Sequence, residues 1–232
     1  MNSLLLLNGS PRGERSNSMK MLARVAEGWV RGGGHAPEVL HLARRAGFGR
    51  AVQAFAQVDV VMLGMPLYTD SMPALVKSYI EALRPRVAAA QSGGVNPTLA
   101  FLVQSGFPEA LHSRPLERYL AKLALRLGSK YAGVIVHGGG ESLQAMPDRM
   151  NQKLWTQLRT LGEQLAHDGR FGEAALKAIA GVERFSPPAA ALAGLLCKLP
   201  FMQFYWNGQL KKNGAWKRRF AAPYVPAAPL IG

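Results

Sequence analysis

Five short apolar runs punctuate the chain, at residues 3–8, 38–42, 59–65, 98–105 and 131–137. Each is rich in Val and Leu, has strand length, and is bounded by Gly, Pro, Ser or Asn. Between them, apolar positions recur at helical spacing: Met19, Leu22, Ala26 and Trp29 on one face, and Leu75, Val76, Tyr79, Ile80 and Leu83 on a second. Met150, Leu154, Leu158, Leu161 and Leu165 form a third. Strands alternating with helices predict a parallel sheet covered on both faces. The runs LLLL, VVMLG and LAFLV are apolar without alternation, as central strands buried on both sides are. The more polar second strand and the fifth belong at the edges. A doubly wound five-stranded sheet of order 2-1-3-4-5 satisfies these constraints, and its ligand crevice lies beyond strands one and three, where the winding reverses.

The 232 residues, 48% of them apolar, suffice for one α/β domain with a sizeable core and an added segment. We assign residues 1–182 to the domain and residues 183–232 to a basic, aromatic-rich C-terminal extension of helical or irregular structure. The lone cysteine, Cys197, can form neither an internal disulfide nor a thiolate cluster, so no metal site is expected and any redox role rests on an organic cofactor. The apolar start at Leu4–Leu7 is too short for a secretion signal and has no basic residue before it. The stretch from Pro187 is broken by Lys198 and Pro200, well short of the roughly 18 residues of a membrane span. A soluble, cytoplasmic protein is expected.

Net charge is +14, and no acidic residue follows Glu183, whereas Arg184, Lys198, Lys211, Lys212, Lys217, Arg218 and Arg219 do. Such a segment can meet nucleic acid or an anionic membrane. A solvated basic surface is the commoner meaning. Leu192, Leu195, Leu196, Leu199, Phe201, Phe204, Tyr205 and Trp206 carry too much apolar area to leave in water, which predicts that the extension packs near the site or at a subunit interface.

Strand one runs directly into NGSPRGERSNS and then a helix. Ser10, Ser16, Asn17 and Ser18 offer side-chain donors beside the free amides of a helix start, and Gly9 permits close approach. Arg12, with Arg15 as an equally reachable alternative, adds a charged donor. The serines are also ordinary capping residues, and the two roles are compatible. The segment matches neither GxxxxGK[ST] nor GxGxxG, which favours a phosphomonoester over a triphosphate or dinucleotide.

After strand three, Asp70 or Ser71 is the expected cap of the next helix, with Pro73 in its first turn. Capping leaves Pro66, Leu67 and Tyr68 unexplained, because an apolar, aromatic loop tip at a crevice suits a flat ring system. Ser105, Gly106 and Phe107 follow strand four on the same edge. Strand five ends in HGGGE, which also occurs as an oxyanion loop of hydrolases, but the GxSxG elbow that such chemistry needs is missing. His137 is expected to be satisfied by a hydrogen bond, with the glycines making room for a close neighbour.

Together GSPRGERSNS, PLYTDSMPALVKSYIEAL and SGFPE resemble the NAD(P)H-dependent FMN reductase and flavodoxin-like oxidoreductase family over residues 1–167. The resemblance implies a flavodoxin-like fold and one FMN. Its phosphate would sit on Ser10, Arg12, Ser16, Asn17 and Ser18, and its isoalloxazine beside Pro66, Leu67, Tyr68, Thr69, Ser105, Gly106 and Phe107. It further implies NAD(P)H as hydride donor, a small acceptor such as a quinone or free flavin, and a homodimer. The iron–sulfur variant of the family is excluded by the single cysteine. No catalytic acid or base is assigned, since the hydride chemistry belongs to the cofactor. An electron carrier of the flavodoxin type, or an interaction protein acting through its basic tail, are the alternatives; carriers of that type are usually acidic, which this chain is not.

Overall fold

The computed structural model describes residues 2–197 and 203–222. In chain order the elements are β1 (Leu4–Asn8), α1 (Asn17–Arg31), β2 (Glu38–His41), α2 (Arg45–Ala54), β3 (Val60–Pro66), α3 (Ala74–Ala82), α4 (Arg84–Gln91) and β4 (Thr98–Gln104). They continue as α5 (Arg114–Arg126), β5 (Tyr131–His137), α6 (Ser142–Ala145), α7 (Gln152–Asp168), α8 (Glu173–Ala180), α9 (Pro187–Cys197) and α10 (Phe204–Lys212). The chain divides into two compact units, Met1–Arg184 and Phe185–Gly232.

The first unit is built on a five-stranded sheet in the order β2-β1-β3-β4-β5, parallel throughout. All five strands and their order are those the apolar runs predict. Alternate residues of each strand feed opposite layers, as the two-residue strand period requires. Leu5, Leu7, Val61, Leu63, Phe101 and Val103 meet the side of α2, α3 and α5. Leu4, Leu6, Val60, Met62, Ala100 and Leu102 meet α1 and α7. The edge of β5 is covered further along the chain, where the Phe171 N–H donates to the Ala132 carbonyl at 2.9 Å.

The buried stripe of α1 is rotated from the predicted one: Met21, Leu22, Val25 and Trp29 are buried, while Met19 and Ala26 only flank them. The rotation lets α1 face the sheet and α7 together. The two helices approach so closely that a Cβ on Gly28 would lie 1.9 Å from the Arg159 carbonyl oxygen, and one on Gly162 2.1 Å from that of Val25. Met150 falls outside the predicted α7 stripe, exposed in a 3-10 turn that precedes the helix, whereas Leu154, Leu158, Leu161 and Leu165 are buried.

In the second unit no residue described between 185 and 222 is buried. Leu192, Leu195, Leu196, Phe204 and Trp206 are exposed in the single chain. Leu199 and Phe201 lie outside the described residues, and the side chain of Tyr205 is likewise not described.

Candidate functional site

The carboxyl ends of β1, β3 and β4 converge on a crevice lined by Ser10, Arg12, Ser16, Asn17, Pro66, Leu67, Tyr68, Gln104, Ser105, Gly106 and Glu141. Nine of the sequence-predicted residues are brought together here. The other three are placed elsewhere: Ser18 points into the protein and is fully buried, Thr69 sits at a hairpin tip, and Phe107 leans on His112 with ring centroids 4.5 Å apart.

The first loop is organised by a residue the sequence reading passed over. Asn8, fully buried at the end of β1, accepts from the Ser10 amide at 3.1 Å and donates to the Gly13 carbonyl at 2.7 Å. It also exchanges hydrogen bonds with the Ser16 hydroxyl at 3.2 and 3.3 Å. Ser16 in turn caps α1, its oxygen accepting from the Met19 amide at 3.1 Å. The Ser16 hydroxyl is therefore committed to the fold. Ser10 Oγ accepts only the Arg12 amide at 3.3 Å, so its proton is available to a ligand. The amides of Asn17 and Ser18 open α1 and have no intrahelical carbonyl to meet. An anion cradle results, at the positive end of a 15-residue helix.

Asn17 donates to the Gly140 carbonyl at 2.7 Å, while its Oδ1 is buried without a partner, as is Ser18 Oγ. A buried acceptor of this kind wants a hydroxyl or amide donor. Arg12 reaches Glu141 at 3.5 Å, across the mouth of the crevice. Both side chains are substantially exposed, so this pair contributes little to stability.

On the opposite wall, Leu67 N–H donates to the Gln104 carbonyl at 2.8 Å, fixing the apolar segment 66–68 beside strand four. Tyr68 and Ser71 then exchange backbone hydrogen bonds at 2.9 and 3.0 Å around Thr69 and Asp70, whose φ values are 49° and 59°. This is a tight two-residue hairpin turn of type I′, which requires positive φ at both central residues. Neither Asp70 nor Ser71 caps α3, as the sequence suggested; the residue at that position is Pro73, with no side-chain cap. Asp70 and Ser71 belong to the turn, which ends two residues short of the cap position.

The glycines have other purposes than expected. A Cβ on Gly9 would lie 2.4 Å from Val76 Cγ2, so this glycine serves the packing of α3 against β1 rather than ligand approach. In the HGGG run, a Cβ on Gly138 would meet the Pro108 carbonyl oxygen at 2.4 Å and one on Gly140 would meet Gln104 Oε1 at 2.0 Å. The close neighbour is thus the loop after β4. His137 is partly buried with Nδ1 3.2 Å from the Ile179 carbonyl, and burial holds its pKa below the usual imidazole range.

A family model described as flavodoxin-like fold matches residues 2–158. Among solved structures, an FMN-dependent NADH-azoreductase from Bacillus anthracis superposes with a TM-score of 0.54 at 16% identity, covering 72% of this chain and 100% of its own. An NADPH-quinone reductase from P. pentosaceus gives 0.53 at 18% identity, over 72% and 99% of the two chains. An NADH:FMN oxidoreductase in its apo form gives 0.54 at 17%, over 81% and 98%. No curated protein matches in sequence. The family match spans more than half of the chain, and the sheet follows in the predicted order with its crevice at the winding reversal; the chain belongs to the flavodoxin-like fold family.

Proposed function

We propose that this chain is an FMN-dependent oxidoreductase that takes hydride from NADH or NADPH and passes the electrons to a small acceptor such as a quinone or free flavin. The observation that carries the reading is one crevice with two chemically distinct walls. One wall is an anion cradle made by Ser10, Arg12 and the amides opening α1; the other is the apolar, aromatic segment 66–68. The donor set suits FMN. The cradle would donate to a phosphate, and Asn17 Oδ1, buried without a partner, would accept from a ribityl hydroxyl. When bound, FMN supplies the redox chemistry, accepting hydride and releasing electrons to the acceptor. The chain's own contribution is positional. Arg12 and Ser10 would hold the anionic end, Leu67 and Pro66 would exclude water from one side of the ring, and Tyr68, 43% exposed, would border an incoming planar substrate. The structural neighbours named for NADH, NADPH and quinones support this reading.

The test is spectroscopic. Apo-protein titrated with FMN is expected to bind it stoichiometrically, and anaerobic NADH or NADPH should bleach the bound flavin without an added reductase, with a quinone restoring the colour. Absence of FMN uptake, or uptake of FAD in preference, overturns the cofactor assignment. Bleaching only in the presence of a separate reductase would favour the electron carrier.

A further inference from the structure

The second unit holds a helix that is apolar on every face and buried on none. α9 consists of Pro, Ala, Leu, Gly and Cys only, and no residue from 187 to 196 is buried. Leu192, Leu195 and Leu196 are 57%, 61% and 40% exposed. A helix hydrophobic all round belongs in a protein core or in lipid, and the described residues of the second unit form no core around it. At 11 residues it is about 16 Å long, roughly half the hydrocarbon thickness of a bilayer. Among the described residues no helix is long and apolar enough to cross a membrane. Insertion from one side is the geometry left.

The residues that follow α9 have the composition of a membrane interface. Phe204, Trp206 and Phe220 are 70%, 63% and 86% exposed, and Lys211, Lys212, Lys217, Arg218 and Arg219 lie among them with no acidic residue after Glu183. Exposed Trp and Phe beside Lys and Arg are the side chains favoured at the headgroup level, where each has an apolar body and a wet or charged neighbour. Trp216 already carries Arg219 at 4.1 Å and Lys211 at 5.2 Å over its ring.

We infer that the C-terminal unit docks the protein on an anionic phospholipid surface, with α9 among the acyl chains and the Lys–Arg cluster of residues 211–219 at the headgroups. Nucleic acid would satisfy the cations but offer nothing to the leucines of α9, and the face of Trp216 that a base would stack on is occupied by cations. A second copy of the chain would bury the leucines but bring two wholly basic segments together. Only an anionic, apolar-centred surface answers both features. The inference does not depend on the flavin reading, because it concerns the other unit.

Full-length protein is mixed with vesicles of pure phosphatidylcholine or of phosphatidylcholine with phosphatidylglycerol, and the fraction that pellets with lipid is measured. Binding is expected to the anionic vesicles, to fall as salt is raised, and to be near absent with phosphatidylcholine alone. Combining Leu192→Ser, Leu195→Ser and Leu196→Ser should lower the partition coefficient at least about tenfold by removing buried apolar area. Lys211→Ser with Lys212→Ser should lower it on the order of tenfold while leaving the leucines in place. An unchanged melting temperature shows that each variant is folded. The inference is overturned if the protein does not pellet with anionic vesicles, if the leucine variant pellets as well as the parent, if duplex DNA releases the protein from lipid at equal charge, or if the leucine variant abolishes a dimer formed without lipid.

Discussion

Replacing Asn8 with alanine removes the side chain around which the first loop is wound. One backbone group loses its partner, the Ser10 N–H, in a residue only 2% exposed; the Gly13 carbonyl loses the Asn8 amide but keeps the Ser16 N–H at 3.1 Å. An unsatisfied buried group costs about 1–3 kcal/mol, so the dry Ser10 amide contributes about 2 kcal/mol and the remaining bonds to Gly13 and Ser16 about 1 kcal/mol more. This cost falls on the geometry of the anion cradle, because Ser10, Ser16 and the start of α1 are held in register through Asn8. We therefore expect Asn8→Ala to weaken FMN binding by about 2 kcal/mol, or roughly 30-fold, and to lower the melting temperature of the apo-protein. Asn8→Asp is the sharper probe. It keeps the acceptor for the Ser10 amide but sets a carboxylate oxygen against the Gly13 carbonyl and puts a negative charge beneath the phosphate, so it should weaken FMN more than alanine does. Fluorescence titration of the apo-variants with FMN, beside thermal melts, measures both quantities. If both variants bind FMN as the parent does, the loop does not depend on Asn8 and the cradle has been wrongly located.

Arg12→Ala should weaken FMN by about 2 kcal/mol, roughly 30-fold, the worth of a charge-assisted hydrogen bond, with Arg15→Ala mattering less. Glu141→Gln removes the carboxylate that holds Arg12 at 3.5 Å, and since an exposed pair is worth about 0.2–1 kcal/mol, FMN affinity should rise by no more than a few-fold in the same titration. His137 and His41 are both held below the ordinary imidazole pKa, chiefly by burial, although Glu14 partly offsets the effect at His41. The unfolded chain takes up protons at these positions near pH ~6.5 and the folded one only lower down, so their stabilisation is complete above that pH and is lost as pH falls through the lowered values. Melting temperature against pH should therefore drop on the acid side, and His137→Gln should flatten the drop; a parallel curve for the variant would show that other groups govern it.

The strands were legible because burial on both faces writes itself as an unbroken apolar run, and α/β alternation admits few sheet orders. Ser16 as cap of α1 was legible for the same local reason. What escaped depends on how the loops fold back, on themselves or against another element. Asn8 reads as a strand boundary until Gly13 and Ser16 fold back over it. Asp70 reads as a cap because nothing in Thr-Asp announces two consecutive left-handed residues, a conformation more often given to Asn-Gly. Gly9 reads as a ligand contact because its real neighbour, Val76, is on another helix.

The crevice owes its shape to a circuit of hydrogen bonds that runs through all four loops. Gly9 N–H donates to the Gly64 carbonyl at 2.7 Å, joining β1 to β3, and Leu67 N–H to Gln104 joins β3 to β4. Ser105 N–H donates to the His137 carbonyl at 3.1 Å and Gly140 N–H to the Ser105 carbonyl at 2.7 Å, joining β4 to β5. Asn17 closes the circuit by donating to the Gly140 carbonyl, which ties the β5 loop to the start of α1. Each link is short and most are backbone to backbone, so the loops cannot shift singly. The HGGG run is then explained without an oxyanion: glycine is needed at 138, where the fourth and fifth loops touch backbone to backbone and a side chain would force the circuit open, while a side chain at Gly140 would displace the Gln104 amide. A site locked in this way meets its ligand with little ordering cost. The same connection couples the cradle that would hold an anion to the segment that would face a planar ring, so a disturbance at either end should register in both affinity and stability.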